Sequence, residues 1–295
     1  MSARRDRSPA RLGGELVVPA GAEVGEGPLW DEAAERLLWV DIPAGLLHRS
    51  DPRSGEDAVQ PTGAMLGAVA LRRGGGLVAA VEDGFATLDG DGTATLRHGV
   101  SAAPDQRMND AKCDPAGRYW GGSTAMTPAL GAGALHCWDG DGARTLWDDL
   151  ALPNGLGWSP DGAIFYLADS VTGVLWTAPF DLDTGSLGKR QELLRVAPAD
   201  GLPDGLCIDA DGCIWLALWG GGVVRRHGPG GALLATVELP VSQPSSCALA
   251  PDGMLYVTSA RAGLDAATLA REPAAGSVFA VDAGVAPVPV APFAW

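Results

Sequence analysis

Five short stretches of the chain could bring oxygen donors together. Four of them open on a polar residue, run through apolar positions and end in a Gly-centred turn. They are Asn109-Asp110-Ala111-Lys112-Cys113-Asp114-Pro115-Ala116-Gly117, Asn154-Gly155-Leu156-Gly157-Trp158-Ser159-Pro160-Asp161-Gly162, Asp204-Gly205-Leu206-Cys207-Ile208-Asp209-Ala210-Asp211-Gly212 and Ser245-Ser246-Cys247-Ala248-Leu249-Ala250-Pro251-Asp252-Gly253. The fifth starts at Glu26, where Glu26-Gly27-Pro28-Leu29-Trp30-Asp31 matches Asn154 to Ser159, Trp on Trp. Carboxylates at Glu26 and Asp204 with amide oxygens at Asn109 and Asn154 are hard donors, suited to Ca²⁺, Mg²⁺ or Mn²⁺. One divalent ion would balance both negative charges; without it the carboxylates would repel and raise one another's pKa. Taken singly, Asn-Gly and Asp-Gly are hairpin signals. Their common offset from a second turn favours a ring of ligands around a shared axis. Gly155 and Gly205 are then expected to turn the backbone so that the preceding side chain faces the axis.

A second repeat shows what must position these residues. Gly followed by a short apolar run recurs at Gly45, Gly84, Gly133, Gly173, Gly222 and Gly276, roughly 40 to 55 residues apart. Each run is followed by a turn such as Asp89-Gly90-Asp91-Gly92 or Asp139-Gly140-Asp141-Gly142. Every period reads strand, turn, strand, Gly, strand, turn, strand. The expected fold is therefore all-β, a six-bladed β-propeller with four antiparallel strands per blade. The innermost strands would line a channel, with Glu26, Gly67 or Leu66, Asn109, Asn154, Asp204 and Ser245 at its mouth in ring order. Outer strands are predicted over 144–147, 192–196 and 233–239. Glu15 to Val18 is predicted to complete the last blade and close the ring. The Pro-containing tail, Ala286 to Trp295, competes for that place as a poorer strand. The best helical candidate is Leu264 to Arg271, in an insertion of the sixth blade.

With 295 residues, a formal net charge of −15 and ample apolar content, residues 13–295 read as one propeller domain. The acidity argues against nucleic acid and anionic membranes as partners. A small molecule is the expected partner; a monomer is compatible with the sequence, which does not fix the oligomeric state. Only Lys112 and Lys189 are lysines, a bias that fits a GC-rich bacterial genome. The five cysteines make no CxxC pair, which points to a reducing cytoplasm. Residues 1–12 carry four Arg and no apolar run, so they read as a disordered tail rather than a secretory signal.

Arg107, two residues before Asn109, would lie at the channel mouth and could bind a substrate oxygen or a developing oxyanion; the alternative is a solvent-exposed loop Arg. Trp219 could wall a pocket or pack in a blade. Trp30, Trp39, Trp120, Trp158 and Trp215 recur at equivalent places and read as blade packing. No histidine forms a triad with Ser and Asp, and no Gly-x-Ser-x-Gly elbow occurs.

The chain resembles the SMP-30/gluconolactonase/LRE-like family from about Glu15 to Phe279. The resemblance rests on Glu26-Gly27-Pro28, Arg107-Met108-Asn109-Asp110 with Asp114-Pro115-Ala116-Gly117-Arg118-Tyr119, Pro153-Asn154-Gly155-Leu156 with Trp158-Ser159-Pro160-Asp161-Gly162, and Pro203-Asp204-Gly205. It implies a propeller with one catalytic divalent cation, calcium first, with zinc, manganese or magnesium as alternatives. It implies metal ligands at Glu26, Asn154 and Asp204, with Asn109 near the metal and Arg107 contacting substrate. Many relatives hydrolyse sugar lactones; others act on other lactones or on organophosphates. Relatives that process aldonolactones carry an acidic residue about eighteen positions past Asn109, where this chain has Thr127. A less hydroxylated lactone or a different sugar is thereby opened.

The expected activity is lactone hydrolysis, with the cation acting as Lewis acid and Asp204 orienting or deprotonating the attacking water. Arg107 and Asn109 would hold the substrate. Ester or organophosphate hydrolysis at the same cation is the enzymatic alternative. A non-catalytic calcium-binding propeller is the alternative of another class.

Overall fold

A computed structural model describes residues 9–100 and 105–295. Six antiparallel sheets follow one another, each ordered from an inner to an outer strand. Blade one consists of Gly25–Asp31, Arg36–Asp41, Leu46–Asp51 and Glu56–Pro61. Blade two is Leu66–Leu71, Leu77–Val81, Gly84–Leu88 and Ala94–Gly99; blade three is Gln106–Cys113, Tyr119–Ala125, Gly133–Trp138 and Ala143–Leu150. Blade four contains Pro153–Trp158, Ile164–Asp169, Val174–Asp181 and Gln191–Arg195, and blade five Leu202–Ile208, Ile214–Trp219, Val223–His227 and Leu233–Glu238. In blade six, Pro244–Leu249, Met254–Ser259 and Val278–Asp282 are completed by Glu15–Val18. The expected propeller is thus observed, and its Gly-marked third strands fall where the repeat places them.

The second strands are covered on both faces by neighbouring blades, which is why they read as near-continuous apolar runs such as Leu37-Leu38-Trp39-Val40. Trp39, Trp120 and Trp215 are fully buried between blades. Their indole nitrogens donate to Ser50 Oγ (2.8 Å), Asp114 Oδ2 (2.9 Å) and Asp209 Oδ2 (3.0 Å). Asp114 also accepts from the backbone of Ala116 and Arg118 and from Arg118 Nε at 2.5 Å. One carboxylate therefore fixes a turn, pins a Trp and neutralises a buried Arg, so that neither Asp114 nor Arg118 is left as an unpaired buried charge.

The ring closes through the N-terminal strand. Glu15–Val18 pairs antiparallel with Val278–Asp282, joining a segment near the N-terminus to the last strand of the sixth blade in one sheet. Residues 1–8, part of the tail expected to be disordered, lie outside the described residues. For Ala10 to Leu12 that expectation is corrected. Ala10–Gly13 is a strand running parallel to Leu233–Glu238 as a fifth member of blade five. Backbone pairing, packing of Leu12 on the core and an ion pair from Arg11 to Glu238 hold it there. An edge strand left bare by four-stranded geometry is thereby covered.

The C-terminal tail takes no part in closure. It crosses the face where the inner strands end: Ala210 N donates to Ala286 O, Val288 N to Ile208 O, Phe293 N to Leu71 O and Ala294 N to Gly117 O. Phe293 is buried against Trp138, ring centroids 4.4 Å apart. The blade-six insertion holds a short helix, Ala266–Arg271, capped by Asp265. Among the described residues no helix is long and apolar enough to cross a membrane.

Candidate metal centre

Every inner strand carries a register shift at its opening residues. The breaks fall between Glu26 and Leu29, Leu66 and Ala68, Met108 and Ala111, Pro153 and Leu156, Pro203 and Leu206, and Pro244 and Ser246. In blades three, four and five, two residues oppose one on the partner: Asn109-Asp110, Asn154-Gly155 and Asp204-Gly205. Such bulges twist a strand and re-aim its side chains. In blade one the break falls just after Glu26, which is itself paired with Val40, and in blades two and six it falls on Gly67 and Ser245; each irregularity lies at the same end of its inner strand.

Gly155 and Gly205 act differently from expectation. Neither has a left-handed φ. They are glycines because adjacent inner strands approach too closely for a Cβ. One on Gly205 would lie 2.6 Å from Ser246 Cα and nearer still to its Cβ and Oγ; one on Gly155 would lie 2.7 Å from the carbonyl carbon of Gly205. Gly27, by contrast, does have a left-handed φ of 53°.

Glu26, Asn109, Asn154 and Asp204 are all buried. Asn154 Nδ2 donates to Ser170 Oγ (3.1 Å), and Ser170 Oγ donates to Pro203 O (2.7 Å), immediately before Asp204. That relay commits the amide nitrogen and leaves Asn154 Oδ1 buried without a partner; Asp204 Oδ1 is likewise buried and unpartnered. Orphaned buried oxygens are costly unless something absent from the protein itself satisfies them. Glu26 Oε2 accepts from Gly27 N at 2.8 Å. Burial, reinforced by Asp110, pushes the Glu26 carboxyl up to about 8, against the pull of Gly27 N–H, Arg107 and Lys112. Burial, with Glu26 and Asp110 beside it, raises Asp204 well above the ordinary carboxylate range.

Asn109 stands apart. Its Oδ1 accepts from Arg107 Nη1 (2.7 Å) and its Nδ2 donates to Pro153 O (3.0 Å). Its oxygen is thus committed to the guanidinium. Arg107 also donates to Met108 O (2.9 Å) and is half-buried, with Glu26 and Asp204 offsetting the cost of its desolvation. Trp219 is half-buried on the mouth side of blade five, paired in register with Leu202. Thr127 is exposed, beyond the end of the second strand of blade three.

The sequence reading missed Asp110 and Lys112. Asp110 is a third buried carboxylate, whose charge raises Glu26 and Asp204 and whose own carboxyl is raised by burial against the attraction of Lys112. Lys112 Nζ crosses to donate to Leu206 O in blade five at 2.8 Å. The available signal was the adjacency Asn109-Asp110 in a bulge, where consecutive residues share one side. Blades two and six offer no free side-chain oxygen at the opening positions Gly67 and Ser245, although Gln243 Oε1, two residues before Ser245, is buried and unpartnered. Ser245 Oγ donates to Gly25 O (2.5 Å) and contacts Thr258 Oγ1 (2.9 Å), and at Gly67 a Cβ would collide with the Asn109 backbone.

Among the described residues no three His, Cys, Asp or Glu side chains converge as a metal cluster. A donor set here must therefore count the Asn154 amide. With that oxygen, Asp204 Oδ1 and the Glu26 carboxylate, the residues fit a hard divalent cation: the two orphaned oxygens gain a partner and the crowded carboxylates a counter-charge.

Fold and site together define a six-bladed propeller with an oxygen-donor centre at one mouth of its channel. The chain belongs to the SMP-30/gluconolactonase/LRE-like family, whose model matches residues 24–261. Regucalcin of Macaca fascicularis is 36% identical over 295 residues, covering 95% of this chain and 97% of that protein. A solved calcium-binding protein, regucalcin of Agrobacterium tumefaciens, superposes with a TM-score of 0.91 at 30% identity, covering 98% of this chain and 99% of the other. A gluconolactonase of Xanthomonas campestris shares the fold, with a TM-score of 0.72 at 24% identity over 95% and 91% of the two chains.

Proposed function

We propose that the protein is a divalent-metal-dependent lactonase. Glu26, Asn154 and Asp204 would hold one cation, calcium first, which would supply Lewis-acid polarisation of a lactone carbonyl. The observation that carries the reading is the pair of buried, unpartnered oxygens, Asn154 Oδ1 and Asp204 Oδ1, beside the raised carboxyl of Glu26. Asp204 orients the attacking water and takes up its proton at the carboxylate oxygen other than Oδ1, since Oδ1 would face the cation. Water adds to the carbonyl carbon, the ring C–O bond breaks, the proton held by Asp204 passes to the departing ring oxygen, and a hydroxy acid leaves. Arg107, locked by Asn109 Oδ1 and facing the carboxylates, offers its remaining N–H donors to substrate oxygens. With Thr127 exposed and neutral, this chain has no acid there to grip sugar hydroxyls, which supports a lactone with few hydroxyls as readily as an aldonolactone.

Acid release from aldonolactones, simple lactones and an organophosphate, after chelation and after restoring single divalent ions, tests the reading. Hydrolysis of a lactone that EDTA abolishes and a divalent salt restores is expected, as is its loss in Asp204→Ala with the fold intact. Activity indifferent to chelation would refute the metal assignment. Turnover of the phosphotriester alone would move the reaction class. The second reading, a calcium-binding propeller without catalysis, draws on the calcium-binding relative. Calcium binding with no turnover across the panel would favour it.

A further inference from the structure

Below the ring, the channel widens into a cavity of about 360 Å³ that the proposed reaction does not use. Trp30, Val69 and Ile208 form part of its wall, and the tail residues Val288 and Val290 lie across it. Two cysteines meet in that wall. Cys207 lies on the inner strand of blade five, beyond Asp204, and Cys247 on the inner strand of blade six, beyond Ser245. Their Sγ atoms are 3.7 Å apart, and both residues line the cavity. Cys207 is partly exposed, whereas Cys247 is buried. Among the described residues no other pair of cysteine sulfurs makes such a contact.

We propose that Cys207 and Cys247 are a reversible dithiol–disulfide pair, oxidised by a small peroxide that reaches them through this cavity. A disulfide needs the sulfurs at about 2.05 Å, so they must close by about 1.7 Å, a movement within reach of side-chain torsions on two strands already held together. Those strands are fixed at Gly205 and Ser246, where no Cβ fits between them. Both sulfurs line the cavity, but Cys207 is the partly exposed one and Cys247 the buried one, so a peroxide entering the cavity meets Cys207 first, which makes it the attacking sulfur. Burial, only partly offset by the nearby Lys112 charge, holds the Cys247 thiol well up. The Cys207 thiolate attacks one peroxide oxygen, the O–O bond breaks, and the departing hydroxide takes a proton to become water. Cys247 then attacks the resulting sulfenic sulfur. The S–O bond breaks, and that hydroxide leaves as water with the proton from Cys247. Two thiols are oxidised, one peroxide is reduced to two waters, and blades five and six are tied covalently beside Asp204.

The test treats reduced whole protein with hydrogen peroxide, counts thiols after denaturation and maps peptides without reduction. Expected are the loss of two thiols per chain, the mass of two hydrogens, and a single cross-link joining the Cys207 and Cys247 peptides that dithiothreitol reverses. Cys247→Ser should stop at a Cys207 sulfenic acid that dimedone traps; Cys207→Ser should leave Cys247 a free thiol. If either serine variant fails to fold, the alanine variant takes its place, and the wild-type cross-link map stands without it. Cross-linking to another cysteine would overturn the proposal. So would over-oxidation of Cys207 with Cys247 still free, or retention of all five thiols under peroxide that oxidises glutathione.

Discussion

Gly205→Ala tests whether the bulge of blade five positions Asp204. The added methyl would lie 2.6 Å from Ser246 Cα, and nearer to Ser246 Cβ and Oγ. The obstacle is partly backbone, so a rotamer change at Ser246 cannot clear it; the inner strands of blades five and six must separate. Overpacking of this kind costs about 3 kcal/mol, the upper part of its usual range. At about 2–4 °C per kcal/mol for a large domain, the melting temperature should fall by about 6–12 °C. Calorimetric titration with calcium reads the site itself. Displacing the strand that carries Asp204 should weaken binding about tenfold or more, which is about 1.4 kcal/mol. Gly74→Ala is the control, since a Cβ there meets nothing within 4 Å and its φ is not left-handed. Ser246→Gly in the same chain as Gly205→Ala removes Oγ and Cβ but not Cα, so rescue should be partial and appear as coupling of about 1 kcal/mol in a double-mutant cycle. A Gly205→Ala protein with the wild-type melting temperature would refute the packing argument. One that is destabilised but binds calcium normally would refute the claim that this bulge sets the site.

Further outcomes follow from the buried groups. In the cation-free protein Glu26 holds its proton up to about 8, so folding stability should fall as pH rises from about 4.5 to about 8; saturating calcium should flatten that slope in chemical denaturation, and Glu26→Gln should remove part of it. His136 acts in the opposite sense. Burial lowers it from 6.5 to about 4, between Ser123 Oγ and Thr145 Oγ1, so its contribution is full above 6.5 and lost as pH falls toward 4. The loss is at most about 3 kcal/mol, and His136→Gln should show a shallower acid limb. Calcium at a hundred times its Kd should stabilise the protein by about 2.7 kcal/mol, and Asn154→Ala should abolish the shift in melting temperature. Phe293→Ala should cost about 3–5 kcal/mol in thermal or urea unfolding by emptying the space beside Trp138.

The fold was legible because a propeller repeats its local rules. Gly45, Gly173, Gly222 and Gly276 each take a left-handed φ before a third strand, and a backbone requirement that only glycine meets cheaply leaves a mark at every period. Glu15–Val18 could be placed because the last blade lacked an outer strand. Ala10–Gly13 could not, since a parallel fifth strand answers no gap in the repeat. It is held by pairing with Leu233–Glu238, more than two hundred residues away. The same distinction runs through the site. Glu26, Asn154 and Asp204 were visible by their common offset. Asp110 and Lys112 were not, because their roles depend on a neighbouring bulge and on a carbonyl across the channel at Leu206.

The two ends of the channel are chemically opposed, and the inner strands explain why. At the mouth, Asp110 lies close enough to raise the carboxyl of Glu26, and both raise that of Asp204, beside the unpartnered amide oxygen of Asn154, a placement that costs stability until a cation joins them. A few residues further along the same strands, regular alternation resumes, and the wall becomes Leu29, Val69, Cys207 and Cys247 under the tail. Among the described residues Lys112 is the one basic residue in the lining of the far cavity, and it is tied to Leu206 in blade five while its charge acts on Glu26, Asp110 and Cys247. Replacing it with Met should therefore act in both directions. The proton on Glu26 should be held more tightly, moving the alkaline loss of cation-free stability to higher pH, and oxidation of the Cys207–Cys247 pair should slow. A Lys112→Met protein that changed one of these and not the other would show that the two ends of the channel are electrostatically independent, contrary to the structure.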